Sequence, residues 1–355
     1  MTKIIKKEDI KSLCMRACDD WETYVPLENS AGDVQFMRLG NHDKEKTSSL
    51  TRLNLDYESL IIPPKVIAFP QLECLFEFQK GKITDLARPP AKRLLFGLRS
   101  CDAQGILFMD HFFRRDFEDI YYLNRSVDKI VVIVGCKHPL DSCFCSSTKT
   151  GPFLPMPDEL DRTKYPGFDL QLVDLGNQYV VEIGSKRGQE FANDYKMFFD
   201  NASKEDINDS GLAKRNAEKS IKLKVDFQKA LKRFCEDKVP KEIYERIAQR
   251  CIYCGGCLYV CPTCSCFNTF DEQAINLGRR YRNWDACIFE GYTREASGHN
   301  PRVQRWMRTS RRYEHKLKYD YLLTGISGCV GCGRCLLSCP VNIGISQVIQ
   351  EVSRY

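Results

Sequence analysis

The same cysteine string occurs twice in the last third of the chain: Cys251-Ile-Tyr-Cys254-Gly-Gly-Cys257-Leu-Tyr-Val-Cys261-Pro262 and Cys329-Val-Gly-Cys332-Gly-Arg-Cys335-Leu-Leu-Ser-Cys339-Pro340. Each reads C-x2-C-x2-C-x3-C-P. Thiolates three residues apart wrap three corners of an iron-sulfur cubane, while the fourth cysteine, ahead of the proline, points toward the other cubane. The repeat therefore predicts crossed ligation. One [4Fe-4S] cluster is expected on Cys251, Cys254, Cys257 and Cys339, and a second on Cys329, Cys332, Cys335 and Cys261. A pair of zinc knuckles needs only two CxxC motifs per site and gives no reason for a third cysteine and a Cys-Pro, repeated identically. Gly255, Gly256, Gly331 and Gly333 let backbone N–H groups turn toward sulfur without a Cβ clash, and such hydrogen bonds help set a reduction potential.

Composition supports reduced thiols. The chain has 355 residues, 43% hydrophobic and 28% charged, enough for two ordinary domains. Its 19 cysteines are an odd number and too dilute for a secreted disulfide scaffold. The segment Met1 to Asp20 lacks the apolar core of a signal peptide, and the longest strongly apolar run, Ile130 to Val134, is too short to span a bilayer. A cytoplasmic protein without membrane insertion is expected. Charge divides the chain: residues 1–185 are net −3, residues 186–250 net +4, and residues 251–355, with eleven of the cysteines, net +5.

That division predicts an α+β architecture in three parts: a mixed α/β domain over 1–185, a charged helical connector over 186–240, and a ferredoxin-like 2[4Fe-4S] domain over 241–355 with a long insertion between its cluster loops. In the first part Glu8 to Trp21 has helical spacing. Val66 to Phe69, Leu72 to Phe78, Leu94 to Leu98 and Ile130 to Val134 read as strands, with a helix over Ala103 to Phe113. Phe168 to Val173 and Tyr179 to Ile183 read as a hairpin. In the insertion, Arg302, Arg305, Arg308 and Arg311 recur at i+3 spacing and predict a basic helix face. That face either is solvated, balances cluster charge, or docks an acidic or phosphate-bearing partner.

Seven other cysteines invite attention. Cys101 follows one expected strand, Cys136 ends the next, and Cys143 and Cys145 sit in the following loop. Neighbouring strands would bring these four together where α/β sheets place their sites. A third [4Fe-4S] cluster, a four-cysteine zinc site and buried free thiols are all open there. Cys264, Cys266 and Cys287 lie within short reach of the ferredoxin loops, either as further ligands or as packing residues. The five histidines form no ligand cluster by spacing. No G-x-G-x-x-G, P-loop, H-E-x-x-H or G-x-S-x-G motif is present, so nothing marks a nucleotide or flavin site.

With these residues in view the chain resembles, along nearly its whole length, the iron-sulfur electron-transfer subunit of anaerobic sulfite reductase and the similar beta subunit of archaeal sulfhydrogenases. The matching strings are Arg99-Ser100-Cys101-Asp102, Cys136 with Cys143-Phe144-Cys145, Arg250 to Cys257, Cys261-Pro-Thr-Cys264-Ser-Cys266, Trp284 to Cys287, and Cys329 to Cys335 with Cys339-Pro340. The resemblance implies an electron-transfer subunit with no catalytic residues of its own. Its implied partners are a flavin- and nicotinamide-binding subunit, or ferredoxin, on one side and a terminal reductase or hydrogenase on the other. Two rivals stay open: a subunit with its own cluster-based reductase activity on a sulfur substrate, and a nucleic-acid binder using the Arg302 to Lys318 face, against which no aromatic stacking motif is evident.

Overall fold

The computed structural model describes residues 2–40, 42–157 and 165–355. Its twelve described strands form two sheets. In chain order they are β1 (Lys3–Lys6), β2 (Glu22–Glu28), β3 (Val34–Arg38), β4 (Leu72–Gln79), β5 (Lys82–Asp85), β6 (Arg93–Leu98), β7 (Lys129–Val134), β8 (Leu170–Asp174), β9 (Gln178–Ile183), β10 (Asp200–Asn201), β11 (Phe267–Gln273) and β12 (Gly278–Trp284). The larger sheet runs β10-β1-β9-β8-β7-β6-β2-β3. Its centre, β2, β6, β7 and β8, is parallel, and its flanks are antiparallel. Strands β6 and β7 are buried along nearly their whole length, which is why they read as unbroken apolar runs rather than alternating ones. One face packs on the helix Ile10–Ala17 through Ile10, Leu13, Cys14 and Ala17. The other buries Leu95, Leu98, Val131 and Ile133 against Ala103 and Ile106 of the helix Ser100–Phe112.

The expected hairpin is β8–β9, closed by the turn at Gly176 and Asn177. Val66 to Phe69, expected as a strand, is instead a 3-10 turn over Pro64–Ile67. Pro63 and Pro64 fix two φ angles near −65° and remove two donors, so the segment cannot pair in a ladder but starts a helical turn readily. That turn places Lys65, buried, with its Nζ 2.5 Å from the Cys264 carbonyl oxygen and over the Trp284 ring.

The segment between the two cysteine strings contributes β11 and β12, which join β4 and β5 in the order β11-β12-β4-β5. A boundary drawn at residue 240 therefore passes through a sheet whose strands lie on both sides of it. The pairing is reinforced by a buried ion cluster: Arg282 on β12 donates to Glu73 on β4 and also pairs with Asp119, and Arg125 pairs with the same Glu73. Residues 186–240 divide by packing. The helix Lys204–Ser220 lies on β8 and β9. The helix Phe227–Cys235 buries Phe227, Ala230, Leu231 and Phe234 in the C-terminal core with Tyr313, Leu317, Val348 and Ile349.

Candidate metal centres

The two cysteine strings fold alike because they meet the same backbone demand. Tyr253 and Gly331, each just before the second cysteine, have φ of 57° and 62°, and Gly255 and Gly333, just after it, have 77° and 73°. Each loop thus takes two left-handed residues and runs into a four-residue helix, Gly256–Tyr259 or Arg334–Leu337, that carries the third cysteine. The turns aim N–H groups at sulfur. Tyr253 N–H donates to Cys251 Sγ at 3.4 Å, and Ile343 N–H donates to Cys339 Sγ at 3.2 Å.

The loops enclose two neighbouring cavities. Cys251, Cys254, Cys257 and Cys339 line the first, with Ile288, Thr309, Tyr313 and Ile343. Cys329, Cys332, Cys335 and Cys261 line the second, with Phe144, Val330 and Ile345, and Cys257 reaches its edge. In each, three cysteines come from one loop and the fourth from the Cys-Pro of the other. Among the described residues, no three His, Cys, Asp or Glu side chains converge closely enough to hold a single metal ion. The thiols stand around the cavities, as the corners of a cubane require and a tetrahedral zinc site does not. Burial pushes the thiols of Cys257 and Cys329 up to about 11 and about 12, and that of Cys332 well above its usual range. Held as neutral thiols in the bare protein, they must release protons on binding a metal centre. Cys254 is exposed, so the first cavity opens to the surface.

Two cations do not stand out in the sequence. Arg312 is buried and lines both cavities. Lys316, one turn on and also buried, lines the second and donates to Thr263 Oγ1 and the Gly328 carbonyl. Arg312 makes no ion pair among the described residues; burial works against its charge, while Cys257, Tyr313 and Cys335 around it favour that charge. A buried cation without a counter-charge is costly, and an anionic centre on each side removes that cost. The expected row of arginines behaves differently. Arg302 precedes the helix Arg305–Glu314, Arg305 and Arg308 stack over Tyr253, and Arg308 is buried with its guanidinium on the Arg302 and Val303 carbonyls. The signal that was available is the i+4 pair Arg312 and Lys316, flanking the apolar Tyr313 and Leu317 on the helix face that packs inward.

The remaining thiols fall into two groups. Cys264, Cys266 and Cys287 gather beside the loops, packed with Leu258, Ala286 and Ile288. They line neither cavity. Cys101 and Cys136 follow the adjacent parallel strands β6 and β7, and Cys143 and Cys145 lie against the second loop, where Phe144 N–H donates to the Gly331 carbonyl at 2.8 Å. This approach explains the second loop's glycines. A Cβ on Gly331 would sit 2.7 Å from Cys145 Cα, and one on Gly333 2.5 Å from the Ser142 backbone. Gly331→Ala is expected to cost more than the roughly 1–2 kcal/mol of a left-handed alanine, whereas Gly256→Ala, with nothing nearer than 3.7 Å, should stay within about 0.5 kcal/mol. Denaturant unfolding of both variants compares them.

A mixed α/β chain with paired, thiol-lined cavities of this kind has the build of an iron-sulfur dicluster protein, and the 4Fe-4S dicluster domain family matches residues 250–343. The likeness also extends well beyond that domain. Sulfhydrogenase 2 subunit beta of Pyrococcus furiosus is 31% identical over 309 residues, covering 87% of this chain and 88% of the relative. The chain belongs to the sulfhydrogenase beta-subunit family. Family and domain together define an iron-sulfur electron-transfer subunit. Among the described residues no helix is long and apolar enough to cross a membrane.

Proposed function

We propose that this chain relays single electrons within a cytoplasmic anaerobic oxidoreductase complex, between a flavin- and nicotinamide-binding subunit, or ferredoxin, and a terminal subunit such as a sulfite reductase or a hydrogenase. Cys251, Cys254, Cys257 and Cys339 would hold one [4Fe-4S] cluster, and Cys329, Cys332, Cys335 and Cys261 the other. Bound there, such clusters supply reversible one-electron oxidation and reduction. The observation that carries the reading is the adjacency of the two cavities, which have Cys257 and Arg312 in common. The protein's own part is to fix the thiolates, direct N–H groups at sulfur, exclude water, and keep Arg312 and Lys316 as counter-charges. Exposed Cys254 and Ile252 give the first cavity an edge at which a partner can approach.

Cys332→Ala is expected to remove one cubane's EPR signal and to lower electron throughput in the assembled complex by at least about 100-fold, the upper range for disturbing a metal site. Normal throughput with that signal gone would overturn the relay. The competing reading, reductase activity of the subunit itself on a sulfur compound, predicts turnover by the isolated chain with an artificial donor; the relay predicts none.

A further inference from the structure

We propose that Cys101, Cys136, Cys143 and Cys145 hold a third iron-sulfur cluster, a [4Fe-4S] cubane seated beside the second cavity. The inference rests on the iron-sulfur reading of the chain and extends it to a separate set of ligands.

The parallel pairing of β6 with β7 sets the ends of both strands side by side, and Cys101 and Cys136 lie just beyond them. The loop carrying Cys143 and Cys145 returns to the same place. Cys145 Sγ lies 3.1 Å from where a Cβ on Gly151 would stand, and Cys136 N–H donates to the neighbouring Pro152 carbonyl at 3.3 Å. Ser100, adjacent to Cys101, donates to that same carbonyl at 2.8 Å. Cys143 Sγ is 3.5 Å from the Cys332 carbonyl oxygen, on the loop of the second cavity.

Charge supplies an independent argument. Arg99 is buried, and its guanidinium donates to the carbonyls of Val134, Gly135, Leu55 and Tyr57, all neutral acceptors. Its Nε has no partner, and it makes no ion pair among the described residues. The only buried carboxylate nearby among the described residues, Asp102, is taken by Arg334. Two buried guanidinium ions against one buried carboxylate, with only the exposed Asp56 and Glu58 near Cys136 besides, leave the buried charge beside the four thiols net positive, an arrangement that favours an anionic centre. Zinc fits less well. A tetrahedral ion draws its four sulfurs within about 4 Å of one another, and no three ligating side chains converge in that way among the described residues. A cubane takes thiolates at wider spacing. The third site would then adjoin the second cavity, which itself adjoins the first.

The test is metal content. The full-length chain, purified without oxygen, should carry about twelve irons and about twelve acid-labile sulfides, four of each per cubane, and no zinc. In Cys136→Ala/Cys145→Ala both counts should fall by about four, with the EPR signals of the two ferredoxin-type clusters unchanged. About eight irons in the wild type, with or without one zinc, overturns the third cluster and leaves the dicluster reading standing. Loss of the ferredoxin-type signals in the wild type overturns that reading itself. If the double variant does not fold, the wild-type iron, sulfide and zinc values still decide.

Discussion

Asp102→Ala is expected to destabilise the protein by about 3–5 kcal/mol, the cost of leaving a buried charge without its partner. Arg334, within the second cysteine string, donates both terminal nitrogens to Asp102, at 2.5 and 2.6 Å, and its Nε to Ser59 at 2.9 Å. Both members of the pair are essentially inaccessible. Asp102 lies in the first turn of Ser100–Phe112, so the pair fastens the large sheet's helix to a cluster loop. Asp102→Leu/Arg334→Met should recover most of the loss, because no charge is then stranded. Equilibrium denaturation of the single and double variants measures both. A single variant within about 0.5 kcal/mol of wild type would show that the pair does not fasten the two parts.

The second large effect is electrostatic. Arg312→Leu should lower the midpoint potentials of both clusters by roughly 50–120 mV, since a nearby positive charge favours the reduced, more negative state. The figure corresponds to about 1–3 kcal/mol of Coulomb energy at an effective dielectric near 20. Lys316→Met should act mainly on the second, whose cavity alone it lines. In the metal-free protein Arg312→Leu should raise stability, because it removes an uncompensated buried charge. Redox titration followed by EPR reads the first effect, and thermal unfolding of the apoprotein the second. Equal potentials in wild type and Arg312→Leu would exclude this residue as a tuning charge.

What could be read from the sequence follows the strength of the constraint behind each feature. The grouping of eight cysteines around two cavities is legible because the repeated C-x2-C-x2-C-x3-C-P string fixes residue type and spacing together. Strands β6 and β7 are legible because burial on both faces forces an unbroken apolar run. The turn at Pro64–Ile67 resembles a strand on apolar content alone, although Pro63 and Pro64 forbid pairing. The hairpin β11–β12 is hidden because β11 is exposed throughout and the register of β12 depends on β4, about two hundred residues earlier. Arg312 and Lys316 are obscured because the arginines line up along the i+3 row, while packing selects the row containing Tyr313 and Leu317.

The shared small sheet also imposes an order of events during synthesis. β4 ends at Gln79, and β12, which covers it, begins at Gly278. At roughly 5–20 residues per second, an edge carrying Phe76 and Phe78 waits roughly 10–40 s before its partner strand has been made. Throughout that interval the β4–β5 hairpin presents one unpaired edge, open to pairing with another chain, so that a pause in translation between the two halves of the sheet prolongs the exposure.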